Sequence, residues 1–313
     1  MKLTIDQILE KAFTSGDLAS GGLLNPEQAA TFVQGIIDNS VIIKECRRIP
    51  MKSDKRQIDK ITYGSDILQK PPSVGTAPTT VTKPVTSKVI LSASEVLVAI
   101  DVGYDALEDS IEGKGLFDTI MNLTDKEVAR ELDILLLHGD TVGGTGDYLE
   151  VLDGVLKQIT TNVYDATGKT LDKDVLFGTV KKVPSKYYDV ETEYRFYVSH
   201  LARLDYIKAL ADAGVNDAFV RYLLEAREPA YQGTPVRKVP ALKTYDTGGS
   251  VMGSDGLLIN PKNIVWGVHR DISYEFDRQP RKRVIEVTMT MKIDVKLEEE
   301  LASVKISKIK HST

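Results

Sequence analysis

One cysteine, one tryptophan and four histidines in 313 residues leave little of the side-chain chemistry that marks metalloenzymes and disulfide-rich secreted domains. Cys46 has no partner for an intrachain disulfide, so the fold must rest on packing, and a reducing compartment is expected. A lone thiolate cannot build a metal site, and His138, His200, His269 and His311 lack metal-ligand spacing. No uninterrupted apolar run is long enough to span a bilayer. The first apolar residues, Leu3, Ile5, Ile8 and Leu9, alternate with Asp6, Gln7 and Glu10, unlike a signal peptide. Positive charge is scarce as well. A formal net charge of −5 and a pI near 5.6 remove the basic stripe of a domain that grips nucleic acid by bulk attraction. These absences predict a soluble, cytoplasmic protein with no metal, no cofactor and no membrane partner.

What is present argues for a folded core, since hydrophobic residues at 42% and charged residues at 27% lie near the globular average. Thr4-Ile5-Asp6-Gln7 has the form of a helix capping box before Ile5, Ile8, Leu9 and Ala12. Asn25 and Pro26 then open a second helix with Ala29, Phe32, Val33, Ile36 and Ile37 on one face. Little near these helices can complete a private core, so they are expected to pack on something else. Residues 62–88 carry Pro71, Pro72, Pro78 and Pro84, which predicts an extended excursion between β segments at 58–63 and 88–100. The strongest helical pattern covers about 115–138, with Leu116, Ile120, Leu123, Val128, Leu132, Leu135 and Leu136 in period. From 150 to about 265 the pattern is mixed: a strand at 194–200, a helix at 201–213, a proline-broken strand at 231–242 and a glycine-rich loop at 244–256. In 284–297, Ile285, Val287, Met289, Met291, Ile293, Val295 and Leu297 alternate with polar residues, which predicts one long strand with a dry face and a wet face.

Catalysis finds no foothold in these residues. Gly139, Gly143, Gly144 and Gly146 follow a helix, whereas phosphate loops precede one, and no Gly-Lys-Ser/Thr ends the run. Gly139 reads as a C-terminal helix cap, and His138 as a last-turn residue that complements the helix dipole. An α/β enzyme using the Gly139–Gly146 turn is the competing class. Glu191/Glu193 and Glu298-Glu299-Glu300 read as solvated faces. Cys46 beside Arg47 and Arg48 has at best a depressed pKa, and no base is assigned to it. Arg278, Arg281, Lys282 and Arg283 read as an ion-pair surface between subunits, because an acidic chain offers no field to support a DNA site.

The order of SGGLLNPEQAA, LLLHGDTVGGTG, FYVSHLARLDYIKALADA, YQGTPVRKVPAL and a closing strand with LASVKI resembles the major capsid proteins of tailed phages, the Hong Kong 97-type α+β fold. The resemblance covers about 21–310. It implies an N-terminal arm at 1–50, an extended E-loop with flanking strands at 51–100 and a first peripheral part with the spine helix at 101–149. An axial domain at 150–265 would bring 244–256 near the capsomer axis, and a second peripheral part with the long strand would span 266–313. The implied protein is not an enzyme. It forms hexamers and pentamers that close an icosahedral shell around double-stranded DNA without sequence-specific binding. Scaffold, portal and decoration proteins are its implied further partners, and its place is the virion capsid, assembled in the host cytoplasm. The methionine directly before the arm leads us to expect no large cleaved scaffolding segment. Candidate assembly contacts are Arg56, Lys70, Pro71 and Pro72 in the E-loop, and Arg278, Arg281 and Arg283 in the peripheral part. Some family members crosslink subunits through an E-loop lysine and a peripheral-strand asparagine. Lys70 stands in the donor region, with Asp294 or Glu286 as a base, but residues 281–313 contain no asparagine, so a non-covalent shell is expected. The alternative within the same fold is an encapsulin-like shell around a protein cargo.

Overall fold

The computed structural model describes residues 40–63, 67–68, 82–104, 116–143, 147–188, 193–212, 229–246 and 252–311. The two expected N-terminal helices, Lys70, Pro71, Pro72, Gly144, Gly146 and Glu191 lie outside the described residues.

The alternating segment near the C-terminus forms the strand that its pattern demands, β12 (Val284–Leu297). It pairs antiparallel with β11 (Ile264–Gln279) on one side and β4 (Ser94–Gly103) on the other, and β1 (Arg47–Pro50) adds parallel to β11. The order of this four-stranded sheet is β1-β11-β12-β4. All seven apolar residues of the predicted dry face are buried. The other face is not uniformly wet, because Asp294 is buried there and accepts hydrogen bonds from the Ser92 and Val295 N–H groups (2.6 and 2.8 Å).

The dry face shares one core with helix α1 (Leu116–His138). Met121, Val128, Ala129, Leu132 and residues 134–137 are buried, whereas Leu123, expected in the apolar face, is exposed. Four consecutive buried residues at the helix end mean that it is enclosed on all sides. Part of that enclosure is a backbone contact that explains Gly139. Gly139 directly follows the helix and donates its N–H to the Leu135 carbonyl at 2.9 Å, as a C-terminal cap does, but its φ is not among the positive values of the described glycines. A Cβ there would lie 2.3 Å from the Leu152 carbonyl oxygen, and one at Gly154 would lie 2.5 Å from that of Leu137. The two glycines let the helix end and the turn before α2 (Val155–Gln158) touch backbone to backbone, with Gly154 N–H donating to Gly139 at 2.8 Å.

A second sheet runs β5 (Val163–Asp165), β13 (Val304–Lys310), β10 (Met252–Ile259), β6 (Arg195–Val198), β8 (Thr234–Lys238) and β7 (Ala230–Tyr231), with β9 (Thr244–Asp246) also paired to β10. Helices α3 (Lys173–Lys182), α4 (Ser185–Tyr188) and α5 (His200–Asp212) belong to this lobe, and Leu176, Phe196, Tyr206, Val236 and Ile306 are among its core residues. Two expectations change here. Residues 252–256, assigned to a glycine-rich loop, instead open a central strand in which a Cβ on Gly256 would sit 3.1 Å from Ile309 Cδ1. Glycine there serves close packing. Residues 304–310, expected with the peripheral strands, hydrogen-bond into this lobe's sheet through β10 and β5.

The third sheet is a ribbon of two strands, β2 (Lys55–Tyr63) and β3 (Pro84–Ser92), paired antiparallel from Lys55↔Ser92 to Tyr63↔Pro84. Met51, Leu91 and Val265 hold its root in a small core of their own.

Candidate assembly surfaces

Away from that root the ribbon leaves apolar side chains in solvent. Ile61, Tyr63 and Ile90 lie on one face and Val85 on the other, and all four are exposed; Ile61 is 68% exposed. Leu68, beyond the end of β2, is 95% exposed. An isolated two-stranded ribbon is marginal in water. This one is also charged at its base. Lys60 pairs with Glu299, and Arg56 Nη1 donates to the Pro50 carbonyl oxygen. Burial, the main influence on Lys60, lowers its pKa against the pull of Glu298.

At the far end of the four-stranded sheet, the β11–β12 turn carries the other predicted contacts. Arg278, Arg281 and Arg283 are all exposed. Arg278 stacks over the Tyr104 ring at 5.2 Å and donates to its hydroxyl at 2.7 Å, while Arg283 takes a left-handed backbone (φ 55°) and accepts from Tyr104 N–H at 3.0 Å. Lys282 pairs with Glu286 at 2.7 Å. The structure therefore gathers these arginines at one hairpin tip, at the opposite end of β11 from the ribbon root, and it does not bring them to Arg56.

No family model matches the chain. YqbE of Bacillus subtilis (strain 168), named as a prophage capsid protein, is 37% identical over 314 residues, spanning 97% of this chain and 98% of its own. The chain belongs to the tailed-phage major capsid proteins. Solved structures support its Hong Kong 97-type α+β fold at low identity. A chain of the satellite phage P4 procapsid with its size-determination protein gives a TM-score of 0.62 at 14% identity, covering 90% of this chain and 99% of that one. The capsid of the native GTA particle gives 0.59 at 15%, covering 88% and 91%. The SrpI encapsulin of Synechococcus elongatus PCC 7942 gives 0.58 at 11%, covering 87% and 89%.

The capsid subunit also corrects several readings of single residues. The acidic run is not a solvated face. Glu298 pairs with Arg47 at 2.7 Å, Glu299 with Lys60, and Glu300 accepts from the N–H and hydroxyl groups of Thr160 and Thr161 at 2.8–3.0 Å. Glu193 binds Lys262 (2.7 Å) and Asn260 (2.8 Å). Burial first, then the Asp133 carboxylate, push the Cys46 thiol far up, opposite to the expected depression by Arg47 and Arg48. Those arginines point elsewhere: Arg48 pairs with Asp271 and lies over Trp266. Burial, the main influence on His138, holds it below its ordinary pKa, and its Nε2 accepts from Lys243 N–H at 3.3 Å. Sequence spacing carried no signal for the contacts of Glu45 and Asp133, because their partners lie 92 to 192 positions away.

Proposed function

We propose that this capsid protein assembles as hexamers and pentamers into an icosahedral shell that encloses the phage double-stranded DNA, forming in the host cytoplasm and doing no catalysis of its own. The observation that carries the reading is the ribbon of β2 and β3. It exposes apolar side chains on both faces, with Leu68 beyond its end, so a neighbouring copy is the natural cover. In this reading the ribbon is the E-loop, the β11–β12 tip with Arg278, Arg281 and Arg283 meets acidic groups of another subunit, and Lys70, Pro71 and Pro72 extend the loop's reach. The four-stranded sheet with α1 is the peripheral part, and the second sheet is the axial lobe. DNA is held by enclosure, in keeping with the chain's net negative charge. Many weak contacts repeated around closed symmetry then sum to a stable cage.

Electron microscopy of purified particles, with extraction of their contents, tests this. Closed icosahedral shells filled with double-stranded DNA are expected in phage-producing cells. A monomer at every concentration would overturn the assembly reading. Shells that contain a protein cargo and no DNA would replace it with the encapsulin-like alternative, which the SrpI likeness keeps in view.

A further inference from the structure

Residues 40–50 run across three separate parts of the subunit, and each crossing is fastened differently. At the spine helix α1, the buried Asp133 carboxylate accepts from Ser40 Oγ (2.6 Å) and Val41 N–H (2.8 Å), while Ser40 Oγ accepts from Ile43 N–H (3.0 Å) and Ile42 and Ile43 enter the core. At the axial-lobe sheet, Glu45 takes both Arg195 of β6 and Arg237 of β8, and also accepts from the Tyr197 hydroxyl. At the peripheral sheet, β1 pairs with β11 and places Arg48 opposite Trp266. The segment ends where Arg56, at the ribbon root, holds the Pro50 carbonyl.

We propose that residues 40–50 are an undockable strap that braces the spine helix, the axial lobe and the peripheral sheet together, with Glu45 as its positioning residue. A change of angle between the two sheets must stretch this segment, because it is bonded to both. Ile42 and Ile43 anchor its first part in the apolar core, whereas from Glu45 to Pro50 its main fastenings are an ion-pair cluster and a sheet edge, so that part is the one that can let go while each core stays closed. Glu45 decides the docking. Without its carboxylate, Arg195 and Arg237 lose the counter-ion that they share. The inference concerns the subunit itself, so its first readouts do not depend on the shell reading.

The chain supplies its own reporters, since its single cysteine lies in the strap and its single tryptophan lies opposite it. In the full-length wild-type protein, native-state hydrogen exchange should show the amides of 45–49 opening together at lower protection than those of β12. In Glu45→Ala, iodoacetamide should modify Cys46 faster by at least about tenfold. Trp266 emission should shift red and become more accessible to acrylamide, while β12 and α1 keep their exchange protection. Asp133→Asn, which retains an oxygen for Val41 N–H, should keep the strap docked, whereas Asp133→Ala should loosen 40–43. Particles of Glu45→Ala should show a wider spread of diameters than wild type, or fail to close. Exchange of 45–49 only through global unfolding, unchanged Cys46 reactivity in Glu45→Ala, or an unchanged spread of diameters would each overturn the proposal.

Discussion

The β12 strand and the β2–β3 ribbon are both antiparallel pairings that carry apolar side chains, and those side chains end in opposite environments. In β12, Ile285, Val287, Met289, Met291, Ile293 and Val295 are buried against α1 and the turn that follows it. In the ribbon, Ile61, Tyr63, Val85 and Ile90 stand in solvent. A period of two orients side chains to one face but does not say whether anything lies against that face. For β12 the cover is in the same chain. For the ribbon, the cover comes from another subunit in our reading. The comparison separates residues that fold the capsid protein from residues that assemble it, and substitutions can test that division.

The largest effect is expected inside the closed half. Met289→Asp places a charge in the shared core with no partner, at a cost of more than about 4 kcal/mol, enough to cancel much of a domain's stability. The protein should be recovered insoluble or without a cooperative thermal transition. A soluble subunit melting like wild type would show that the β12 face is not the core assigned to it.

The ribbon should respond in the opposite way. Ile61→Ser together with Tyr63→Ser removes exposed apolar surface, so the melting midpoint of the unassembled subunit should move by no more than about 2 °C. Shell formation, followed by light scattering, should be lost or need far higher protein concentration. Normal assembly of the double variant would remove the ribbon from the interface.

Much of the fold could be read from the sequence wherever one element meets a single neighbour. The β12 strand and α1 have the extents that their periodicity implied, because periodicity reflects burial on one face. Reading failed where two backbones meet. Gly139 and Gly154 approach each other across a turn, and Gly256 lies under Ile309, so these glycines serve packing that a cap and a loop do not account for. It failed again at Glu45 and Asp133, whose partners are distant in sequence, and at Glu298–Glu300, three adjacent carboxylates that serve three different elements. Of the predicted contacts, the arginine tip is gathered by the fold and Arg56 sits at the ribbon root, while Lys70, Pro71 and Pro72 lie outside the described residues.

A smaller, pH-dependent effect is expected where the closed half is fastened by charge. Asp153 accepts from Lys157 (2.6 Å) and from the N–H and hydroxyl of Thr141 (3.0 and 2.8 Å). Partial burial works against its ionisation, but these donors outweigh it and hold the carboxyl down to about 2. A depressed folded pKa means stability that is present above the unfolded value near 3.8 and is lost as pH falls toward 2. Because the site is partly exposed, about 1 kcal/mol is expected after solvent screening. Asp153→Asn should therefore melt lower than wild type at pH 7, and the gap should narrow between about pH 4 and 2. A gap that widens on acidification would mean that the carboxylate does not act through its charge.

The smallest effect is expected at Lys70. An isopeptide bond needs a neutral amine, an amide acceptor and a carboxylate base in a water-poor pocket. Residues 281–313 hold no asparagine. Asn260 and Asn263, the nearest upstream, already use their amides. Asn260 Nδ2 donates to Glu193 (2.8 Å) and its oxygen accepts from Lys262 N–H (3.0 Å); Asn263 Nδ2 donates to the Glu299 carbonyl (2.7 Å) and Ser303 Oγ (2.9 Å), and its oxygen accepts from Glu299 N–H (2.8 Å). Asp294 and Glu286, the bases considered, are likewise occupied, the first by the Ser92 and Val295 N–H groups and the second by Lys282. With no acceptor, Lys70 should remain an ammonium worth at most about 1 kcal/mol as an exposed ion-pair partner. Particles boiled in detergent should run as one band near 34.5 kDa, and Lys70→Ala should barely alter shell stability. A ladder of covalent oligomers that disappears in Lys70→Ala would show that one of these asparagines leaves its hydrogen bonds in the shell, and the subunit's closed half would then be less closed than β12 implies.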